Sequence, residues 1–309
     1  MISVVMATYN GARYIEEQLN SILDQTFTDF ELLVVDDCST DDTVSILRKY
    51  SCIDLRISIY ENEINLGCSK TFEKGVGLAH GDFIALVDQD DVWHPKKLEI
   101  LVYELKNSNL DMVYSNCNLI DRDGNIIDYP WTSITPLFGS DSQYPNVETF
   151  AAFNSFILGC AMLFKAESLK MCLPFVHSSA NHDKWIVNNI AFWGKFKFIN
   201  IELFSYRIHE NNLSMKRTNA PIYERLVSAF KLSLPFYSPD DIERIIKLGE
   251  EKGRDVLVYR QLSDSIRSFH KRGLRGRLEL IETYYTYLYV RLKGLQRARE
   301  IIKLTLTQV

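Results

Sequence analysis

Ile2-Ser3-Val4-Val5-Met6-Ala7-Thr8-Tyr9-Asn10 and Phe83-Ile84-Ala85-Leu86-Val87-Asp88-Gln89-Asp90-Asp91 decide the reading of this chain. Each is a short apolar run that ends abruptly in polar side chains. Between them lie two more runs of the same kind, Phe30–Val35 and Leu55–Tyr60. Helical patterns separate all four: Ile15, Leu19, Ile22 and Leu23 on one face, then Asp42–Tyr50, then Ser69–Ala79. Apolar runs alternating with amphipathic helices predict a parallel sheet built from βαβ units. Ligands of such sheets bind beyond the carboxyl ends of the strands.

Those ends are polar: Thr8-Tyr9-Asn10, Asp36-Asp37-Cys38-Ser39-Thr40-Asp41 and Asp88-Gln89-Asp90-Asp91, with a less acidic loop at Glu61–Gly67. No G-x-G-x-x-G or G-x-x-x-x-G-K-[ST] occurs, which argues against dinucleotide and P-loop chemistry. Asp88, Asp90 and Asp91 place three carboxylates within four residues. Two like charges about 4 Å apart repel by roughly 4 kcal/mol at an effective dielectric near 20. A divalent cation with hard oxygen ligands relieves that, and Mn2+ or Mg2+ commonly shares its shell with phosphates.

Further along, Pro95–Asn107 reads as a helix opened by proline, Asp111–Asn116 as a strand, and Asp121–Gly124 as a turn. Residues 129–146 read as a long loop. Phe156–Phe164 reads as a buried strand, Asn181–Phe192 as a helix and Phe196–Tyr206 as a strand. Past Lys216 the periodicity is only helical: Ile242, Ile245 and Ile246 form one stripe, and Leu278, Ile281, Tyr285, Leu288, Leu292 and Leu295 a longer one. The expected organisation is an α/β domain over residues 1–215 and a helical, basic region over 216–309.

Composition bounds the function. A chain of 309 residues with 46% hydrophobic and 24% charged side chains is too apolar for a disordered protein. Its longest apolar run, Phe156–Phe164, is about half of what a bilayer-spanning helix needs. Met1-Ile2-Ser3-Val4-Val5 has no basic leader character, so no signal peptide is expected. Six scattered cysteines without a C-x-x-C pair fit a reducing, cytoplasmic compartment. Residues 1–215 carry 16 Lys/Arg against 29 Asp/Glu, and residues 216–309 carry 19 against 11. A basic tail on an acidic body suits anionic lipid headgroups at the inner face of the membrane, a partner or second copy of the chain, or a solvated face. No nucleic-acid-binding module accompanies the basic residues.

Val4–Asn10, Gln25–Glu31 with Val35-Asp36-Asp37, Asp88–Trp93, Gly159–Phe164, His182-Asp183-Lys184-Trp185 and Tyr206–Ser214 occur in an order that resembles glycosyltransferase family 2. Asp88–Trp93 resembles the D-x-D region of its bacterial rhamnosyltransferase-like members, and the later segments continue the match. The resemblance covers residues 1 to about 215. It implies the GT-A fold, an α/β architecture with a Rossmann-like, mostly parallel central sheet, here followed by a C-terminal helical extension. By resemblance, Ala7, Thr8 and Tyr9 line the base pocket, and Asp37 beside Asp36 accepts a hydrogen bond from a uracil or thymine imide. Asp88 meets ribose or metal, Gln89 lies with the donor, and Lys70 faces phosphate or solvent. Asp90, with Asp88 and His209, would hold Mn2+ or Mg2+ on the diphosphate. Asp183 would act as general base, with His182 its rival. Successive helix residues project about 100° apart, so only one of the two faces the cleft. Trp131 and Trp185 are expected against the acceptor.

The implied reaction is inverting transfer of a sugar from a nucleoside diphosphate, dTDP-L-rhamnose or a UDP-hexose, onto a glycan or lipid-linked acceptor in bacterial surface polysaccharide synthesis. Sugar-phosphate nucleotidyltransfer and an inactive sugar-nucleotide-binding scaffold are the alternatives. The sequence departs from the family at Cys38, where Gly is common, at Thr71, where Asn is frequent, and at Lys184, in place of an aromatic residue.

Overall fold

The computed structural model describes residues 1–127, 157–175, 182–209, 212, 239–253, 256, 257, 260 and 264. They fall into two units, one holding the described residues up to Ile208 and the other those from His209 onward.

The first unit opens as the apolar runs predict: β1 (Ile2–Thr8), α1 (Ile15–Leu23), β2 (Phe30–Asp36), α2 (Thr43–Ile53), β3 (Ile57–Glu61), α3 (Cys68–Leu78) and β4 (Phe83–Val87). All four strands are parallel, in the spatial order β3-β2-β1-β4. Every residue of β4 is buried, as are Ile2 to Met6 of β1, because helices cover both faces. At Gly75 a Cβ would come within 2.4 Å of Val5 Cγ1, so only glycine lets α3 lie this close to β1.

The second half is mixed in direction. It comprises β5 (Val92–Trp93), α4 (Lys97–Asn107), β6 (Met112–Ile120), β7 (Ile126–Ile127), β8 (Met162–Lys165), α5 (Ala166–Lys170), α6 (His182–Trp193) and β9 (Phe196–Arg207). The sheet continues from β4 as β8-β6-β9-β5, with β7 beside β6. β8 is antiparallel to both β4 and β6, and β9 runs parallel to β6, so β8 runs against the rest, as do the two-residue strands β5 and β7.

Two sequence expectations change. The run to Phe164 is not one strand: Gly159–Ala161 forms a 3-10 turn, and only Met162 onward pairs. A short apolar run does not reveal its own secondary structure. The helix predicted from Pro95 starts at Lys97, after a turn closed by Lys97 N–H on the His94 carbonyl at 2.9 Å.

In the second unit α7 (Pro239–Glu251) buries Ile245 and Ile246, as the stripe predicts. Residues 129–146 and the Leu278–Leu295 stripe lie outside the described residues. Among the described residues no helix is long and apolar enough to cross a membrane.

Candidate active site

Parallel register puts the polar strand ends at one edge. Thr8 pairs with Asp36, and Met6 with Val87, the residue before Asp88. Ala7 is half-buried there, while Tyr9 is 48% exposed beyond it. Thr8 Oγ1 donates to Asp36 Oδ2 at 2.8 Å, and Asp36 also accepts Ser39 N–H and Ser39 O–H at 2.8 and 2.6 Å. Asp36 therefore shapes the loop.

Asp37 is equally engaged. Its Oδ1 accepts Asn62 Nδ2 at 2.9 Å and Leu66 N–H at 2.7 Å, and its Oδ2 accepts Gly67 N–H at 2.8 Å. Three bonds leave this carboxylate with one of its about four acceptor positions. Cys38 adopts φ 68, a left-handed conformation natural to the glycine common here in the family it resembles. Thr71, at the other departure, is buried and donates to the Gly67 carbonyl at 3.0 Å. Lys70 stands exposed on the first turn of α3. Gln89 turns its amide onto the Tyr9 backbone, accepting its N–H at 2.8 Å and donating to its carbonyl at 3.0 Å.

The acidic loop is the electrostatic centre. Burial, then the charges of Asp90 and Asp183, push the Asp88 carboxyl up to about 7. Asp91 is wholly buried and is pushed well up by burial and by Asp90 and Asp88. Its Oδ1 accepts Arg207 N–H at 3.1 Å, while Oδ2 meets no N–H or O–H donor among the described residues. Asp88, Asp91 and Cys160 bring ligand atoms within 4.8 Å of one another. A buried carboxylate oxygen with no N–H or O–H donor, beside a second carboxylate, is a donor set that fits a divalent cation.

Two buried cations frame this loop. Lys97 donates to the Cys160 carbonyl at 2.5 Å, with its ammonium 3.9 Å from the Trp93 ring centroid and 4.4 Å from that of Phe204. Burial pushes its pKa down to about 8 despite nearby Cys160 and Asp91. Arg207 donates Nε to the Asp90 carbonyl at 2.8 Å and Nη2 to Glu17 at 2.5 Å, fixing the Asp90 backbone. Sequence reading gave neither cation a role, because Lys and Arg are ordinarily surface residues. Asp91 enters the sequence reading only as one of three crowded carboxylates, and Cys160 only within the Gly159–Phe164 segment.

Asp183 lies half-buried in the first turn of α6, near Gly159, where an added Cβ would lie 3.7 Å from the Asp183 Cβ. Its charge reaches Asp88 and Cys68. His182 is buried, with its ring 4.4 Å from Phe72 and 6.2 Å from Phe175 between centroids and its Nε2 also against Gly159. Burial pushes its pKa down. Trp185 requires a correction: it is fully buried and its indole N–H donates to the Cys172 carbonyl at 2.7 Å, so it is a core residue and cannot stack on an acceptor. Trp131 lies outside the described residues. His209 belongs to the second unit, where its N–H donates to Asn212 Oδ1 at 2.5 Å.

A parallel half-sheet with acidic loops at its carboxyl edge, continued by a mixed second half, is the architecture of a GT-A glycosyltransferase. Solved structures agree on that fold. Staphylococcus aureus TarS 1-349 in complex with UDP superposes with a TM-score of 0.59 at 19% identity, covering 98% of this chain and 89% of that one. Mannosyltransferase PcManGT from Pyrobaculum calidifontis, in complex with GDP-Man and Mn2+, gives 0.57 at 19%, covering 97% and 78%. Residues 3–170 match the model of glycosyl transferase family 2, and the chain belongs to that family. It is 28% identical over 225 residues to the putative teichuronic acid biosynthesis glycosyltransferase TuaG of Bacillus subtilis, covering 71% of this chain and 84% of TuaG. It is also 34% identical over 122 residues to the Escherichia coli UDP-Glc:alpha-D-GlcNAc-diphosphoundecaprenol beta-1,3-glucosyltransferase WfgD, covering 40% and 47%.

Proposed function

We propose that this enzyme transfers a sugar, with inversion, from a pyrimidine nucleoside diphosphate to a hydroxyl of a glycan or lipid-linked acceptor in bacterial surface polysaccharide assembly. The supporting observation is the convergence of charge on Asp88, whose carboxyl feels both Asp90 in its own loop and Asp183 on α6. One carboxylate pair serves the leaving diphosphate and the third serves the acceptor. Similarity to the teichuronic acid glycosyltransferase TuaG and the diphosphoundecaprenol-linked glucosyltransferase WfgD supports the setting.

Tyr9, exposed beyond β1, flanks the base, and Asp37 offers its remaining acceptor position to the imide N–H. Lys70 approaches the phosphates from α3. Asp88 and Asp90 would hold Mn2+ or Mg2+. When bound, the cation neutralises charge on the departing diphosphate. Asp183 takes the proton of the acceptor hydroxyl. The oxygen attacks the anomeric carbon from the face opposite the nucleotide, and the electron pair of the breaking C–O bond leaves on the diphosphate. Trp131 serves the acceptor. The 19 basic residues of the 216–309 region suit an anionic surface carrying a lipid-linked acceptor.

Incubation with a panel of sugar nucleotides and Mn2+, dTDP-L-rhamnose and the UDP-hexoses first, tests this. Slow hydrolysis of one donor, releasing its nucleoside diphosphate, is expected. A panel left wholly intact would overturn the reading.

A further inference from the structure

We propose that Gln89 is a positioning residue that locks the nucleobase loop to the acidic loop, and that Gly11 is bare to let it pass. The inference rests on the donor site proposed above and adds the element joining its two halves.

The turn after β1 is held in an unusual way. Four successive backbone amides donate to side chains: Tyr9 to Gln89 Oε1 at 2.8 Å, Asn10 to Ser39 Oγ at 2.8 Å, Gly11 to Thr43 Oγ1 at 2.8 Å and Ala12 to Asp41 Oδ2 at 3.1 Å. Three of these acceptors come from the loop and helix after β2. Gln89 alone comes from the acidic loop, and it also donates back to the Tyr9 carbonyl at 3.0 Å. Both polar ends of one amide thus grip both polar groups of one residue, 80 positions away. The clamp holds the Tyr9 backbone and leaves its ring outside.

Gly11 shares the same space. A Cβ there would lie 2.2 Å from Gln89 Oε1 and 2.4 Å from its Cδ. The obstructing atoms are the far end of a flexible side chain, so an alanine displaces the Gln89 amide without moving backbone. The other three amide anchors persist, so the turn keeps its shape while the two loops uncouple. A nucleoside diphosphate presents its base to one loop and its phosphates to the other. Fixing their separation beforehand removes an ordering cost from binding.

The test is calorimetric titration with UDP, dTDP and GDP in the presence of Mn2+, using the best-bound nucleotide for the variants. Gln89→Ala and Gly11→Ala should each weaken it about tenfold, as expected for a small misplacement of binding groups. The double variant should bind no worse than either single one, because both changes remove the same clamp. The thermal midpoint of the ligand-free protein should hold, and KM for the donor should rise more than kcat falls. Nucleotide affinity unchanged in Gln89→Ala, or penalties that multiply in the double variant, would overturn the inference. If the wild type binds none of the nucleotides, the donor site itself fails and the clamp falls with it.

Discussion

Asp37 Oδ2 accepts the backbone N–H of Gly67 at 2.8 Å, tying the loop after β2 to the residue that caps α3. Leu66 N–H joins it on Oδ1 at 2.7 Å. The second aspartate of the pair is therefore a structural anchor. Replacing it strands the Leu66 and Gly67 amides and removes one bond of Asn62, which keeps Thr71 and Lys74. Asp37→Ala should lower unfolding free energy by about 2–4 kcal/mol, since each orphaned buried partner costs about 1–3 kcal/mol. Urea denaturation measures this, and a loss under about 1 kcal/mol would contradict the anchor.

Cys38 sits at φ 68 between that anchor and the Ser39 contact to Asp36. A left-handed backbone costs a side-chain-bearing residue roughly 1–2 kcal/mol, while glycine loses about 0.5–1 kcal/mol in unfolded-state entropy. Cys38→Gly should leave stability unchanged within about 1 kcal/mol, and Cys38→Val, β-branched, should lower it. Equal stability of the cysteine and valine proteins in thermal melts would argue against strain at this turn.

His182 yields a pH dependence. Burial holds its folded pKa below the ordinary 6.5, with Asp183 opposing in part. As pH falls through 6.5 the unfolded chain binds the proton first, so stability present above 6.5 is lost below it. His182→Phe, which keeps a ring beside Phe72 and Phe175, should flatten the decline by up to about 1.4 kcal/mol per pH unit. Parallel pH profiles for the two proteins would show that His182 is not the group responsible.

In the proposed mechanism Asp183 would serve chemistry and not nucleotide binding. Asp183→Asn keeps the shape of the first turn of α6 but cannot accept a proton. Nucleotide affinity should persist while transfer falls by about 10²–10⁴-fold. Near-normal turnover would remove Asp183 as the base.

Much of this was legible in the residues. β1, β2 and β4 announce themselves because strands buried on both faces must be continuously apolar, and the loops after them carry the acidic side chains. The pairing of Asp88 with Asp90 follows from proximity in sequence. What was not legible depends on contacts between distant segments. Trp185 follows the proposed base by two positions, yet the helix turns it into the core, where Cys172 receives its N–H. Asp37 looks like a free carboxylate until Leu66 and Gly67 arrive. Lys97 reads as a surface lysine, and only the folded chain encloses it between Trp93 and Phe204. The break at Gly159–Ala161 is hidden inside an apolar run whose burial is real but whose conformation is not periodic.

The central claim is that Asp88 and Asp90 hold a cation against a nucleoside diphosphate. Titrating UDP, dTDP and GDP into the wild type and Asp90→Ala, each with Mn2+ and with chelator, tests it most directly. Binding by the wild type that requires Mn2+, and that weakens at least about 100-fold in Asp90→Ala, is the predicted result. Equal affinity with chelator, or in Asp90→Ala, would contradict it.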